Sequence, residues 1–187
     1  MDLAGWEQRY RSEMDAVFEP SPTPLLAETV SHLPPGRALD LASGTGRNAL
    51  WLAQRGWSVT AVDGSPTAVK ILRRCAEQMN VVVDAQVADL ERAGFTIEPD
   101  HWDLIAMCYY LQRDLFESSK QGLVPGGVIV VIVLLAEPGK DNSFRAQPGE
   151  LRRCFEGWEI LHDREGSDTW QHKVAEIVAR RPVSEVR

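Results

Sequence analysis

Three aspartates and one glycine turn are the residues whose types and spacing point to chemistry. Asp40, Asp63 and Asp89 each end an apolar run, and Gly44-Thr45-Gly46 follows the first of them. Gly44 and Gly46 let the backbone turn tightly and approach a bound molecule where a Cβ would intrude. The helix that the turn opens presents unpaired N–H groups in its first turn. Gly44-Thr45-Gly46-Arg47-Asn48-Ala49 fits the G-x-G-x-x-G/A dinucleotide pattern, with Asp63 nineteen residues after Gly44. On this pattern alone at least two cofactors remain open. Asp63 is placed to accept both ribose hydroxyls of an adenosine, and Asp89 to accept from an adenine amino group. Asp40 separates the alternatives. A carboxylate beside the glycine turn repels a pyrophosphate but attracts an ammonium or a sulfonium. The three acids therefore suit S-adenosylmethionine better than a dinucleotide. The residues expected at the cofactor are Asp40, Ala42, Ser43, Gly44, Gly46, Arg47, Asn48, Asp63, Gly64, Ser65, Asp89, Leu90 and Cys108.

These residues need a scaffold that brings strand ends together. Trp6, Tyr10, Met14 and Val17 recur at helical spacing and predict an amphipathic helix over about 3–18. Trp6 is read as core; Tyr10 is either core or part of a lid over the site. Pro20, Pro22 and Pro24 stop this helix, and Leu25 to Leu33 form a second helical stripe ending at Pro34-Pro35-Gly36. Strands and helices then alternate, the mark of a parallel sheet with helices on both faces. Strands are predicted at 37–41, 58–62, 81–87, 102–108 and 128–135. A helix over 46–55 is capped by Gly56, and another starts at Ser65-Pro66, a serine N-cap with proline at the first helical position. Tyr109 to Phe116 is expected to open a further helix, and Leu123-Val124-Pro125-Gly126-Gly127 to turn the chain into strand five. Val128 to Leu135 lacks alternation and should be buried on both faces. A short helix over 148–155 and strands near 158–164 and 173–180 complete the chain.

In an open sheet of this kind, ligands lie beyond the carboxyl ends of the strands. Tyr109, Arg113 and Tyr10 are the candidate substrate-contacting residues, with Arg9 and Tyr110 nearby in sequence. Arg113 either steers an anion or pairs with an acid such as Asp114 or Glu117. Cys108 is most simply an inert thiol at a strand end, and Cys75 a core residue. No histidine or glutamate stands out at the strand-four edge.

A net charge of −7 and a pI near 5.1 argue against a nucleic-acid partner, since phosphate binding needs a concentrated basic face. Met1 to Glu7 lacks a basic start and an apolar core, so no signal peptide is expected. The run Val128 to Ala136 is far short of a membrane span. Three scattered cysteines fit reduced thiols in a cytoplasmic setting, and four dispersed histidines lack zinc spacing, so no metal is expected. With 187 residues, the chain is expected to form one domain, a helical cap over 1–35 and a Rossmann-like core over 36–187.

Four motifs in order carry a resemblance. Leu39-Asp40-Leu41-Ala42-Ser43-Gly44-Thr45-Gly46, Val62-Asp63, Ala88-Asp89 and Leu123-Val124-Pro125-Gly126-Gly127 resemble those of the class I S-adenosylmethionine-dependent methyltransferases. Trp6 to Tyr10, Gly46 to Ala49 with Trp51-Leu52-Ala53, and Tyr110 to Arg113 resemble the tellurite-resistance and thiopurine-like small-molecule branch. The resemblance implies an α/β fold with a doubly wound seven-stranded sheet of order 3-2-1-4-5-7-6, strand seven antiparallel, and N-terminal helices as a lid. The family often has glycine at the place of Ala42 and cysteine at that of Ser43; a positive φ at Ala42 would loosen cofactor fit.

The implied activity is methyl transfer from S-adenosylmethionine to a small molecule. A soft nucleophile such as a thiol or a selenium or tellurium anion needs little help from a base. The expected protein is a monomer or weak homodimer with no nucleic-acid or membrane partner. A nicotinamide-dependent oxidoreductase and a non-catalytic cofactor-binding module are the alternatives.

Overall fold

A computed structural model describes residues 2–12, 21–92, 94–139 and 143–183. The chain forms two compact units, Met1–Thr96 and Ile97–Arg187. In the first unit, α1 (Leu3–Ser12) and α2 (Pro24–Val30) precede β1 (Arg37–Leu41), α3 (Arg47–Ala53), β2 (Ser58–Asp63), α4 (Pro66–Gln78), β3 (Val83–Val87) and a 3₁₀ turn over Leu90–Arg92. β1 pairs with β2 and β2 with β3, both in parallel. α4 shows why these residues make this element. Ser65 accepts the Ala68 amide at 3.0 Å as N-cap, a contact worth about 1 kcal/mol, and Pro66 sits in the first turn. Ala68, Ile71, Leu72 and Cys75 fall on one buried stripe, and each large apolar side chain contributes about 1.5–3 kcal/mol.

The second unit contains β4 (Trp102–Cys108), α5 (Asp114–Gly122), β5 (Leu123–Leu134), α6 (Glu150–Cys154), β6 (Glu159–Ser167) and β7 (Lys173–Arg180). β4 pairs in parallel with β5, and β7 runs antiparallel to both β5 and β6. The seven strands form one sheet in the order β3-β2-β1-β4-β5-β7-β6, as expected. Val128 to Val133 are all buried, matching the absence of alternation in β5.

Several sequence expectations are corrected. Tyr109 does not open a helix: it has φ +62°, which a helix cannot hold, and α5 starts at Asp114. The Pro125-Gly126-Gly127 turn is not ahead of β5 but inside it. Trp102 pairs with Leu123 and Leu104 with Val128, so the intervening residues bulge out of the ladder. Trp6 is not core, because α1 has no buried residue; its ring stacks on Tyr10 at 5.7 Å, and the Arg9 guanidinium lies 5.2 Å from it. Met14, Val17 and Pro20, expected in the first helix and its stop, lie outside the described residues.

Candidate functional site

The cradle occupies the carboxyl ends of β1 and β2. Parallel pairing puts Asp40 opposite Ala61 and Leu41 opposite Val62, so Asp63 emerges beside the turn that follows β1. Asp63 Oδ2 accepts the Gly44 amide and Oδ1 the Ser65 amide, each at 2.8 Å. Each oxygen keeps a second lone pair for a ligand hydroxyl. Burial raises the Asp63 carboxyl above its ordinary value, against the pull of these two amides.

Gly44 and Gly46 have φ +56° and +90°. A Cβ on Gly46 would come within 2.5 Å of Leu72 Cγ, so the glycine also lets α4 pack on the turn. Ala42 has φ +55°, the strained value raised by its sequence position. Asp40 is fully enclosed: burial pushes its carboxyl up to about 7, although Arg47 and the Ala49 amide favour the ionised form. Asp40 Oδ2 and Ser43 Oγ are buried and have no hydrogen-bond partner among the described residues. Orphaned buried groups of this kind cost about 1–3 kcal/mol each. A negative group and a hydroxyl beside a glycine turn suit a cationic ligand, which is the chemistry of a sulfonium amino acid. Asn48 is buried, and its Oδ1 accepts the Thr23 amide at 2.9 Å, tying the start of α2 to α3.

α1 lies across this rim. A Cβ on Gly64 would meet Leu3 Cδ1 at 2.7 Å, and one on Gly44 would meet the Tyr10 hydroxyl at 2.8 Å. Between them, Glu7 accepts from Ser65 Oγ at 2.5 Å, from Thr67 Oγ1 at 2.6 Å and from the Thr67 amide at 3.2 Å. The Ser65 and Thr67 hydroxyls hold the Glu7 carboxyl down at about 2. The helical spacing of Trp6 and Tyr10 identified the helix but not Glu7, whose partners lie some sixty residues away. At the end of β3, Asp89 Oδ1 accepts the Glu91 amide at 3.0 Å and starts the 3₁₀ turn that buries Leu90.

The second unit has its own cluster at the carboxyl ends of β4 and β5. The Tyr109 amide donates to the Ile132 carbonyl at 2.6 Å, and its hydroxyl donates to Asp168 Oδ2 at 3.1 Å. Asp168 begins the turn between β6 and β7; its Oδ1 accepts the Trp170 and His172 amides at 2.9 and 2.8 Å. His172 Nδ1 lies 3.2 Å from Asp168 Oδ2, and the Trp170 ring meets Tyr109 edge-on at 5.8 Å. A histidine therefore does stand at the strand-four edge. Only the Asp168-to-His172 spacing ahead of the final strand signals it in the sequence.

Cys108 is half-buried. Arg113 is paired with Glu150 of α6, through Nε at 2.6 Å and Nη2 at 3.1 Å, and Nη2 also reaches the Arg145 carbonyl at 3.2 Å. Its partner is neither Asp114 nor Glu117. Among the described residues no cluster of His, Cys, Asp and Glu is placed to hold a metal ion, and no helix is long and apolar enough to cross a membrane.

The family model described as "Tellurite resistance protein TehB" matches residues 23–180. The chain belongs to the TehB family. It thereby falls within the class I S-adenosylmethionine-dependent methyltransferases, in the tellurite-resistance branch. It is similar to Hemagglutinin 1 of Eikenella corrodens, 27% identical over 144 residues that cover 73% of this chain and 48% of the relative. It is also similar to the probable S-adenosyl-L-methionine-dependent methyltransferase TehB of Haemophilus influenzae strain KW20 Rd, 24% identical over 139 residues, covering 70% of this chain and 49% of that protein. The chain thus spans about half the length of the curated relatives it matches. The crystal structure of TehB from Haemophilus influenzae superposes with a TM-score of 0.77 at 21% identity, covering 94% of this chain and 67% of that one. The TehB crystal structure thus shares the Rossmann-like fold.

Proposed function

We propose that this TehB-family chain transfers a methyl group from S-adenosylmethionine to a small-molecule acceptor, working as one catalytic domain. The observation that carries the reading is the pair of orphaned buried atoms, Asp40 Oδ2 and Ser43 Oγ, beside the glycine turn. In this reading Asp63 takes the ribose hydroxyls, Asp40 the cationic methionine end, and Asp89 with Leu90 the adenine. Gly44, Gly46, Gly64 and Ser65 give the close backbone approach, with Ala42, Arg47 and Asn48 bordering it. The cofactor supplies an electrophilic methyl group on a sulfonium that becomes neutral on transfer. What the protein adds is alignment of the acceptor and exclusion of water.

α1, pinned by Glu7, acts as the lid, and Tyr10 closes it over Gly44. Tyr109 lines the acceptor side. The bidentate Arg113–Glu150 pair favours a clamp between the start of α5 and α6 over anion steering. Acidic overall charge and three cysteines outside any disulfide support a cytoplasmic enzyme without a nucleic-acid or membrane partner, as a monomer or weak homodimer. Incubation with methyl-labelled S-adenosylmethionine and a panel of thiols, selenite, tellurite, amines and phenols tests the reading. Label should appear in a small-molecule product; label recovered only in unreacted cofactor across the panel, with the cofactor bound, favours a binding module.

A further inference from the structure

We infer that His172, oriented by Asp168, is the proton acceptor of a thiol-binding subsite at the carboxyl end of β4, an assignment that rests on the methyl-transfer reading. The two oxygens of Asp168 divide their work. Oδ1 takes two backbone amides and closes the turn, a task an asparagine could perform. Oδ2 takes two side chains, the Tyr109 hydroxyl and the His172 ring. A carboxylate at Nδ1 fixes the ring and leaves Nε2 as the nitrogen that accepts a proton.

Asp168 is itself buried. Burial works against its ionisation, but the His172 amide and ring, the Tyr109 hydroxyl and the Trp170 amide outweigh it and keep the carboxyl below its ordinary value. His172 remains about half exposed at its side chain, so a ligand can reach it. Among the described residues, the Tyr109 hydroxyl just after β4 and Arg164 of β6 act on Asp168, and Lys173 follows His172 in sequence at the start of β7. Arg164 is engaged by Glu176 through two bonds of 2.8 Å, and Glu176 also meets His162 at 3.1 Å. The backbone is strained on both sides of the cluster, with φ +62° at Tyr109 and +64° at Gln171. Such strain gathers where the surroundings over-determine conformation, as they do at functional sites.

The surroundings select the acceptor. Arg113 is engaged by Glu150 and Arg164 by Glu176, and Asp168 adds negative charge beside the histidine, so the cluster favours a neutral acceptor over an oxyanion. The Tyr109 and Trp170 rings offer an apolar wall to an organic body. Among neutral acceptors the thiol gives up its proton most readily, at about 8.5 against about 10 for a phenol. The step is balanced: the S–H bond breaks, its proton passes to His172 Nε2, the imidazolium is paired with the Asp168 carboxylate, and the electron pair stays on sulfur as the thiolate that attacks the methyl group.

Two readouts test it. Thiophenol, added at a pH below its own pKa, should develop thiolate absorption on binding to the wild-type protein. The signal should vanish with His172→Ala and weaken with Asp168→Asn, which preserves an acceptor for the turn amides. In turnover, His172→Ala should lower kcat/KM by about 10²-fold or more for phenylmethanethiol and by much less for 4-nitrothiophenol, which is already ionised in water. Equal thiolate absorption in wild type and His172→Ala, or equal losses on both thiols, overturns the inference. So does a wild-type protein that binds S-adenosylhomocysteine yet ionises and methylates neither thiol; the methyl-transfer reading survives that result. Failure to bind S-adenosylhomocysteine sinks that reading instead, and the thiolate signal still reports on His172.

Discussion

Asp63 accepts the Gly44 backbone N–H at 2.8 Å, so the acid that ends β2 holds the glycine turn that follows β1. One side chain thus both shapes the cradle and lines it. Asp63→Ala leaves the Gly44 and Ser65 amides without their acceptor, and a lost buried partner costs about 1–3 kcal/mol. Urea unfolding should show a loss of that size. Asp63→Asn, which keeps one carbonyl acceptor, should lose less stability but still weaken cofactor binding.

Asp40 ties binding to pH. Below about pH 4 the folded and unfolded chains both carry the proton. From there to about 7 the unfolded chain has lost it while the folded protein keeps it, so the Asp40 contribution to stability falls as pH rises through that window. The ammonium of the bound amino-acid end needs the ionised form. Affinity for S-adenosylhomocysteine should therefore rise about tenfold from pH 6 to pH 8. Asp40→Asn should flatten that dependence and raise the melting temperature of the ligand-free protein at pH 8; a parallel pH profile in the variant contradicts the assignment.

Ala42 is a removable strain. Its φ of +55° costs about 1–2 kcal/mol relative to glycine, offset in part by the extra freedom glycine brings to the unfolded chain. Ala42→Gly should stabilise by up to about 1 kcal/mol, read as a higher urea midpoint with an unchanged slope. Gly46→Ala should do the reverse and strongly, because the new Cβ strikes Leu72 in a backbone that already disfavours it.

Glu7 should hold α1 in place across the neutral range. Its carboxyl is depressed to about 2, so the stabilisation is fully present above the ordinary glutamate value and is lost only as pH falls toward about 2. Amide hydrogen exchange over residues 3–12 should be slow relative to Glu7→Ala, corrected for intrinsic rates, at both pH 5 and pH 8. Equal protection in the two proteins shows that Leu3 and Tyr10 suffice.

Much of this was legible in the sequence where the signal is local. The apolar runs placed β1, β4 and β7 within their observed bounds, and Ser65-Pro66 marked the start of α4. Asp63 was found because its distance from the glycine turn follows from one strand–helix–strand passage. Contacts that depend on remote register were not legible. Glu7 reaches Ser65, and Tyr109 reaches Asp168, across 58 and 59 positions that no periodicity records. The positive φ of Tyr109 is imposed by its surroundings, since tyrosine has no preference for it. Pro125-Gly126-Gly127 reads as a turn from its residue types, yet pairing with β4 on either side keeps it inside β5.

Titration calorimetry with S-adenosylhomocysteine is the most direct test of the central claim. The cradle predicts saturable binding to the wild-type protein and at least tenfold weaker binding to Asp63→Ala. No heat at ligand concentrations on the order of millimolar, together with saturable binding of NAD under the same conditions, would contradict it.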